Sequence, residues 1–106
     1  MSKYLFAANY HKQGMEGVRS EGAKSRVDSV RSTIESLGGK LESFHFAFGD
    51  VDAYLVVDLP DDETAAAMAM TVNGSGAVTV STTKLLTAEQ IDSAIGHAIS
   101  YRPPGG

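Results

Sequence analysis

The chain has 106 residues, a formal net charge of −4 and no cysteine. That length suits one domain with a real core, and the missing cysteines exclude disulfides, thiolate catalysis and Cys-ligated zinc or iron–sulfur sites. The acidic balance gives no electrostatic reason to expect nucleic acid or an anionic membrane as a partner, no apolar run approaches the roughly 20 residues of a membrane span, and without a basic-then-apolar leader the expected location is the cytoplasm.

Lys3 to Tyr10, KYLFAANY, is an aromatic-rich run of strand length. It alternates Tyr4, Phe6, Ala8 and Tyr10 with Lys3, Leu5, Ala7 and Asn9, and neither set is clearly polar. Such a strand suits the middle of a sheet covered on both faces, and its facing stays open. His11-Lys12-Gln13-Gly14 breaks the pattern. From Met15 to Leu37 the period becomes helical, with Ala23, Val27, Val30, Ile34 and Leu37 along one stripe. Gly17 and Gly22 each cost about 1 kcal/mol against Ala in a helix interior, which places a bend or a separate first turn in this segment. Gly38-Gly39 supplies the stop, one Gly being free to take the left-handed conformation just past the last turn.

Gly39 to Leu59, GKLESFHFAFGDVDAYLVVDL, reads as two strands joined at Gly49-Asp50. A two-residue turn there sets the register: Phe48 faces Val51, Phe46 faces Ala53, Phe44 faces Leu55, Glu42 faces Val57. One side then carries Phe44, Phe46, Phe48, Val51, Ala53, Leu55, Val57 and Leu59 and is apolar. The other carries Leu41, Ser43, His45, Ala47, Asp52, Tyr54, Val56 and Asp58, with His45 opposite Tyr54.

Pro60-Asp61-Asp62-Glu63 opens a second helix, with acidic residues at the end where free amides and the dipole favour them. Its body, TAAAMAMTV, is small enough to lie close to the sheet, with Met68 and Met70 filling gaps. Asn73-Gly74-Ser75-Gly76 ends it as a turn: a glycine loop after a helix and before a strand has the wrong order for a phosphate cradle. Ala77 to Leu86 is the fourth strand, rich in β-branched residues. Thr87-Ala88-Glu89-Gln90 is a capping box that starts a third helix with Ile91, Ile95 and Ile99 on a narrow stripe. Residues 1–100 make one domain, and 101–106 an extended tail that the prolines keep from being helical.

The order β-α-β-β-α-β plus a C-terminal helix predicts an α+β fold of the ferredoxin-like kind: a four-stranded antiparallel sheet with its helices on one face. The face bearing His45, Tyr54 and Asp52 is left open. Two copies packed on that face would enclose a barrel-like cavity, so the expected partner is the chain itself, with a small molecule or a metal as the guest.

The segment ESLGGKLESFHFAFGDVDAYLVVDLPD, the NGSGAV turn and strand, and LLTAEQID resemble the GYD domain family of small bacterial proteins, over nearly the whole chain from KYLFAANY to the YRPPG tail. The family's Gly-x-Tyr-Asp turn is kept here at Gly49 and Asp52, with Val51 where the naming Tyr stands. The resemblance implies a dimeric α+β barrel type of fold and names no biochemical role.

For chemistry, His45, Tyr54 and Asp52 form the leading constellation, with Tyr4 and Tyr10 of the first strand as further ligand contacts. A histidine that titrates near neutrality, beside a carboxylate that fixes its tautomer and a phenol, can act as a general base in a cofactor-independent acid–base or oxygenase-type enzyme. The plainer alternative is a His45–Tyr54 cross-strand pair buried at a subunit interface. A metal site would use His45 with His11, His97, Asp50, Asp52 or Asp58, but no two histidines have ligand-like spacing. No G-x-S-x-G marks a hydrolase, no motif specifies a cofactor, and a purely structural or regulatory interaction module is the third class.

Overall fold

The computed structural model describes every residue, Met1–Gly106. Four strands, β1 (Ser2–Tyr10), β2 (Lys40–Phe46), β3 (Ala53–Leu59) and β4 (Val78–Leu85), form one sheet in the order β2-β3-β1-β4. All three pairings are antiparallel. With α2 (Ala23–Ser36) and α3 (Asp62–Gly74) as its crossovers, this is the ferredoxin-like arrangement that the element order predicts. The sheet is open at both edges and closes no barrel within one chain.

The core lies between the sheet and α2 and α3. Tyr4, Phe6 and Ala8 of β1, Leu41 of β2, Ala53, Leu55, Val57 and Leu59 of β3, Ile34 of α2 and Ala65 of α3 are buried. This settles the facing of β1. The register puts Tyr4 opposite Val57 and Phe6 opposite Leu55, so Tyr4, Phe6 and Ala8 point to the helices and Leu5 and Ala7 to the uncovered side. β1 is therefore central in the sheet, but covered on one face only.

The segment between β1 and β2 is two helices, not one with a bend. α1 (Lys12–Glu21) begins directly after β1 with His11 as its N-cap, so Lys12, Gln13 and Gly14 are helical rather than a break. Gly22, at φ 93°, separates α1 from α2. That backbone angle is available to glycine at little cost, and the Gly22 amide still satisfies the Val18 carbonyl. Gly14 has its own reason: a Cβ there would stand 2.2 Å from the Ala77 carbonyl oxygen, so only glycine lets α1 lie this close to the start of β4.

The other helix ends follow the sequence. Past α2, Gly38 is left-handed, its amide donates to the Glu35 carbonyl, and the Gly39 amide donates to the Ile34 carbonyl, which together make a Schellman motif. Asp61 caps α3 by accepting from the Thr64 hydroxyl at 2.6 Å and the Thr64 amide at 2.8 Å, and these, the hydroxyl first, hold its carboxyl below the usual range. α4 (Ala88–Ile95) carries the full Thr87/Gln90 capping box.

Two sequence expectations for the hairpin are corrected. β2 ends at Phe46 and β3 begins at Ala53, so the connection is residues 47–52 rather than a two-residue turn, and Phe48 is fully exposed. The pairs Phe46–Ala53, His45–Tyr54 and Phe44–Leu55 hold, but a bulge between Leu41 and Ser43 places Leu41, not Glu42, opposite Val57. One extra residue reverses which side chains face inward from there on. Leu41 thus joins the core, while Glu42 reaches Lys3 on the open side.

Candidate functional site

The uncovered face of the sheet is built from every second residue of each strand. Its middle is Leu5 and Ala7 of β1 beside Val56 and Tyr54 of β3. His45 of β2 lies across from Tyr54, and Ser81 and Thr83 of β4 lie across from Ala7 and Leu5. One end is closed by charge: the Lys3 ammonium pairs with Glu42 and, at 3.1 Å, with Asp58. Both carboxylates hold Lys3 above its ordinary pKa, chiefly through the Glu42 contact. An apolar centre with a polar rim is the anatomy of a protein interface.

His45 and Tyr54 occupy this face as the sequence predicts, both exposed, Tyr54 at 42%. Asp52 does something else. Its carboxylate accepts the Tyr10 amide at 2.9 Å, and its own amide donates to the Ala8 carbonyl at 3.0 Å and to the Asn9 side chain at 3.1 Å. The residue thereby ties the 47–52 connection to the end of β1 and satisfies an amide that β3 no longer reaches. Asp52→Ala is expected to cost about 1–3 kcal/mol, the range for a part-buried group losing a charge-assisted partner. Hydrogen exchange at the Tyr10 amide should quicken; unchanged exchange and stability would show that Asp52 is not a brace.

Tyr4 and Tyr10 do not join His45: both lie on the helix side of the sheet, because β1 presents its odd-numbered residues to the open face. Tyr4 is 2% exposed and its hydroxyl donates to Asp62, which also pairs with Lys84 at 2.9 Å. The phenol first and the ammonium second hold the Asp62 carboxyl below the usual carboxylate range. This cluster fastens the start of α3 to β1 and β4, a structural use of all three side chains. Nor does the chain gather three His, Asp or Glu side chains at any point, so a metal on His45 would need ligands from a second copy. His11 instead contacts the Thr79 hydroxyl.

A cavity lies on the other side of the sheet. α1 and α2 stand apart from α3 and the start of β4 around a groove of about 630 Å³, lined by Tyr10, Arg26, Val30, Met68, Thr71 and Val72 among others. It deepens towards the sheet into a nearly all-apolar recess of about 50 Å³ reaching Phe6, Phe44 and Leu55. Sequence periodicity marks Val30, Phe44 and Leu55 as core and Arg26 as part of the outer, solvated face of the helix, because a groove between two helices depends on how far apart the helices settle. Tyr10 is the one predicted ligand contact that the groove contains.

The family model of the GYD domain matches residues 4–95, from the first core aromatic through the last residue of α4. The chain belongs to the GYD domain family. No curated protein and no solved structure matches it. The family's turn thus has a physical role here: Asp52, its last residue, braces the hairpin against β1. Val51, in the place of the tyrosine, lies within the connection and in neither strand.

Proposed function

We propose that this GYD-domain protein works as a homo-oligomeric small-molecule-binding protein, in which the uncovered sheet face packs on the same face of a second copy. The observation that carries the reading is the composition of that face: Leu5, Ala7, Val56 and Tyr54 at its centre, charge and hydroxyls around them, and no helix over it. A two-fold arrangement is self-complementary, so one patch serves both subunits. Curvature keeps two such sheets from touching everywhere, and the space left between them is lined by His45 and Tyr54.

An enzymatic use of His45 as a general base finds less support, since the carboxylate meant to orient it is engaged by the Tyr10 amide. α4 favours association as well. None of its residues is buried, and Ile91, Ile95 and, beyond it, Ile99 are 45%, 74% and 82% exposed. The radius of gyration is 17.0 Å, against about 13 Å for a compact domain near this size.

Native mass spectrometry of the purified protein tests the reading. The expected result is a dimer or a higher even-numbered assembly, converted to a folded monomer by Val56→Glu, which puts a charge at the centre of the face. His45→Ala is expected to leave the assembly intact and to remove any small molecule that co-purifies. A wild-type monomer at micromolar concentration would overturn the interface; an assembly that Val56→Glu leaves untouched would move it to another surface.

A further inference from the structure

We propose that the groove between α2 and α3 is a binding site for a small amphipathic carboxylate, with the Arg26 guanidinium taking the carboxylate and the apolar side of the groove, whose recess reaches Phe44 and Leu55, taking the body of the ligand. The site is separate from the open sheet face and does not depend on the assembly proposed above.

The argument starts from Arg26. It sits in the second turn of α2, half-buried, and lines both the groove and its inner recess. The four ion pairs of the chain are Lys3–Glu42, Lys3–Asp58, Arg31–Asp28 and Lys84–Asp62. Arg26 belongs to none of them. A guanidinium drawn out of water without a counter-ion carries a desolvation cost that an anion would offset, and its planar fork matches a carboxylate with two parallel hydrogen bonds. The recess holds no other charged residue.

The second support is Tyr10, whose ring stacks on Phe46 at 6.5 Å and forms one wall of the groove. Burial keeps its phenol protonated well into the alkaline range, although the nearby Arg26 acts in the opposite sense. A protonated hydroxyl beside the guanidinium is a second donor for one carboxylate. The third is shape and chemistry: a cavity of about 630 Å³ falls among small-molecule sites, which are mostly apolar with one or two placed polar groups. Glu21, the one acid in the lining, selects against ligands with a second negative charge at the outer end. Together these favour a monocarboxylate on an aliphatic or aromatic body.

Isothermal titration with octanoate and 3-phenylpropionate, set against octanol and 3-phenylpropanol, tests the proposal. Wild type is expected to bind the acids at least tenfold more tightly than the alcohols. Arg26→Gln should remove that difference, while Arg26→Lys keeps part of it. Because Arg26 makes no ion pair, neither variant should unfold, which circular dichroism checks. Val72→Trp, which fills the groove, should abolish binding of acid and alcohol alike, and amide shifts in wild type should fall on the elements that line the groove and its recess: α1, α2, α3 and the strand residues around Phe6, Phe44, Leu55 and Val78. Absence of binding in wild type, or acid binding indifferent to Arg26→Gln, would overturn the proposal.

Discussion

Replacing Ile34 by Ala is expected to lower the unfolding free energy by about 2–5 kcal/mol, the range for truncating a fully buried aliphatic side chain. Ile34 is the one buried residue of α2 and is completely shielded from solvent. Its neighbours are fixed on every side: the Ile34 carbonyl holds the Leu37 and Gly39 amides of the helix stop, and Leu59 lies across the core. The vacated space cannot collapse without moving the C-terminal turn of α2 off the sheet, so a cost in the upper half of the range is expected. In thermal unfolding this corresponds to a fall in Tm of about 10 °C or more for a domain near 100 residues. Denaturant titration should show a lower midpoint at an unchanged slope. A loss under about 1 kcal/mol would mean that α2 is held by its half-buried residues Val27 and Val30 instead.

Gly39→Ala is expected to cost about 2–3 kcal/mol, as overpacking against atoms that cannot yield. A Cβ at position 39 would stand 2.4 Å from the Asp58 carbonyl oxygen and 2.8 Å from a Leu59 methyl. The first of these is backbone in the β2–β3 ladder, next to the Lys40–Asp58 pair, so relief requires the strand itself to shift. Gly17→Ala is the contrasting case. Nothing stands within 4 Å of a Cβ there, and the position is inside α1, so the substitution should be neutral or stabilising by up to about 1 kcal/mol through helix propensity. Equal responses at the two positions in denaturant titration would refute the steric account and leave conformational entropy as the common cause.

The two positions also separate two kinds of information in a glycine-rich chain. Gly38 and Gly39 are legible locally as a helix stop, because a helical stripe ends just before them and a left-handed residue is needed there. That Gly39 is also pressed against the neighbouring strand cannot be read from its surroundings in sequence. The same holds for Gly14 at the Ala77 carbonyl.

For the candidate sites, periodicity carried part of the way. The His45–Tyr54 pair follows from strand alternation, and the structure keeps it even though the connection is longer than the predicted turn, because the pairs Phe44–Leu55 and Phe46–Ala53 fix the same register from the core side. Asp52 was legible as a polar residue at the hairpin end. Its partner, the Tyr10 amide, is 42 residues away, and no spacing rule connects the two. The Arg26 groove was not legible: in sequence Arg26 reads as one of the charged residues of the outer, solvated face of the helix, like a side chain that lies along the surface with its head in water, whereas the structure half-buries it in the groove.

The sequence by itself determined the four strands, the helices α2, α3 and α4 and their order, the α3 cap, the capping box of α4, the Gly38 stop and the central register of β2 with β3. Each rests on chemistry between residues a few positions apart or on a period of two, which a chain carries wherever it folds. Only the tertiary structure decided which face of β1 is inside, since Tyr4, Phe6 and Ala8 and the alternate set with Leu5 and Ala7 are both apolar enough to be buried. It decided the bulge at Glu42, where seating Leu41 in the core and pairing Glu42 with Lys3 outweigh an unbroken ladder. And it decided that α2 and α3 stand apart around Arg26, because the distance between two helices on a sheet is set by all the side chains beneath them at once.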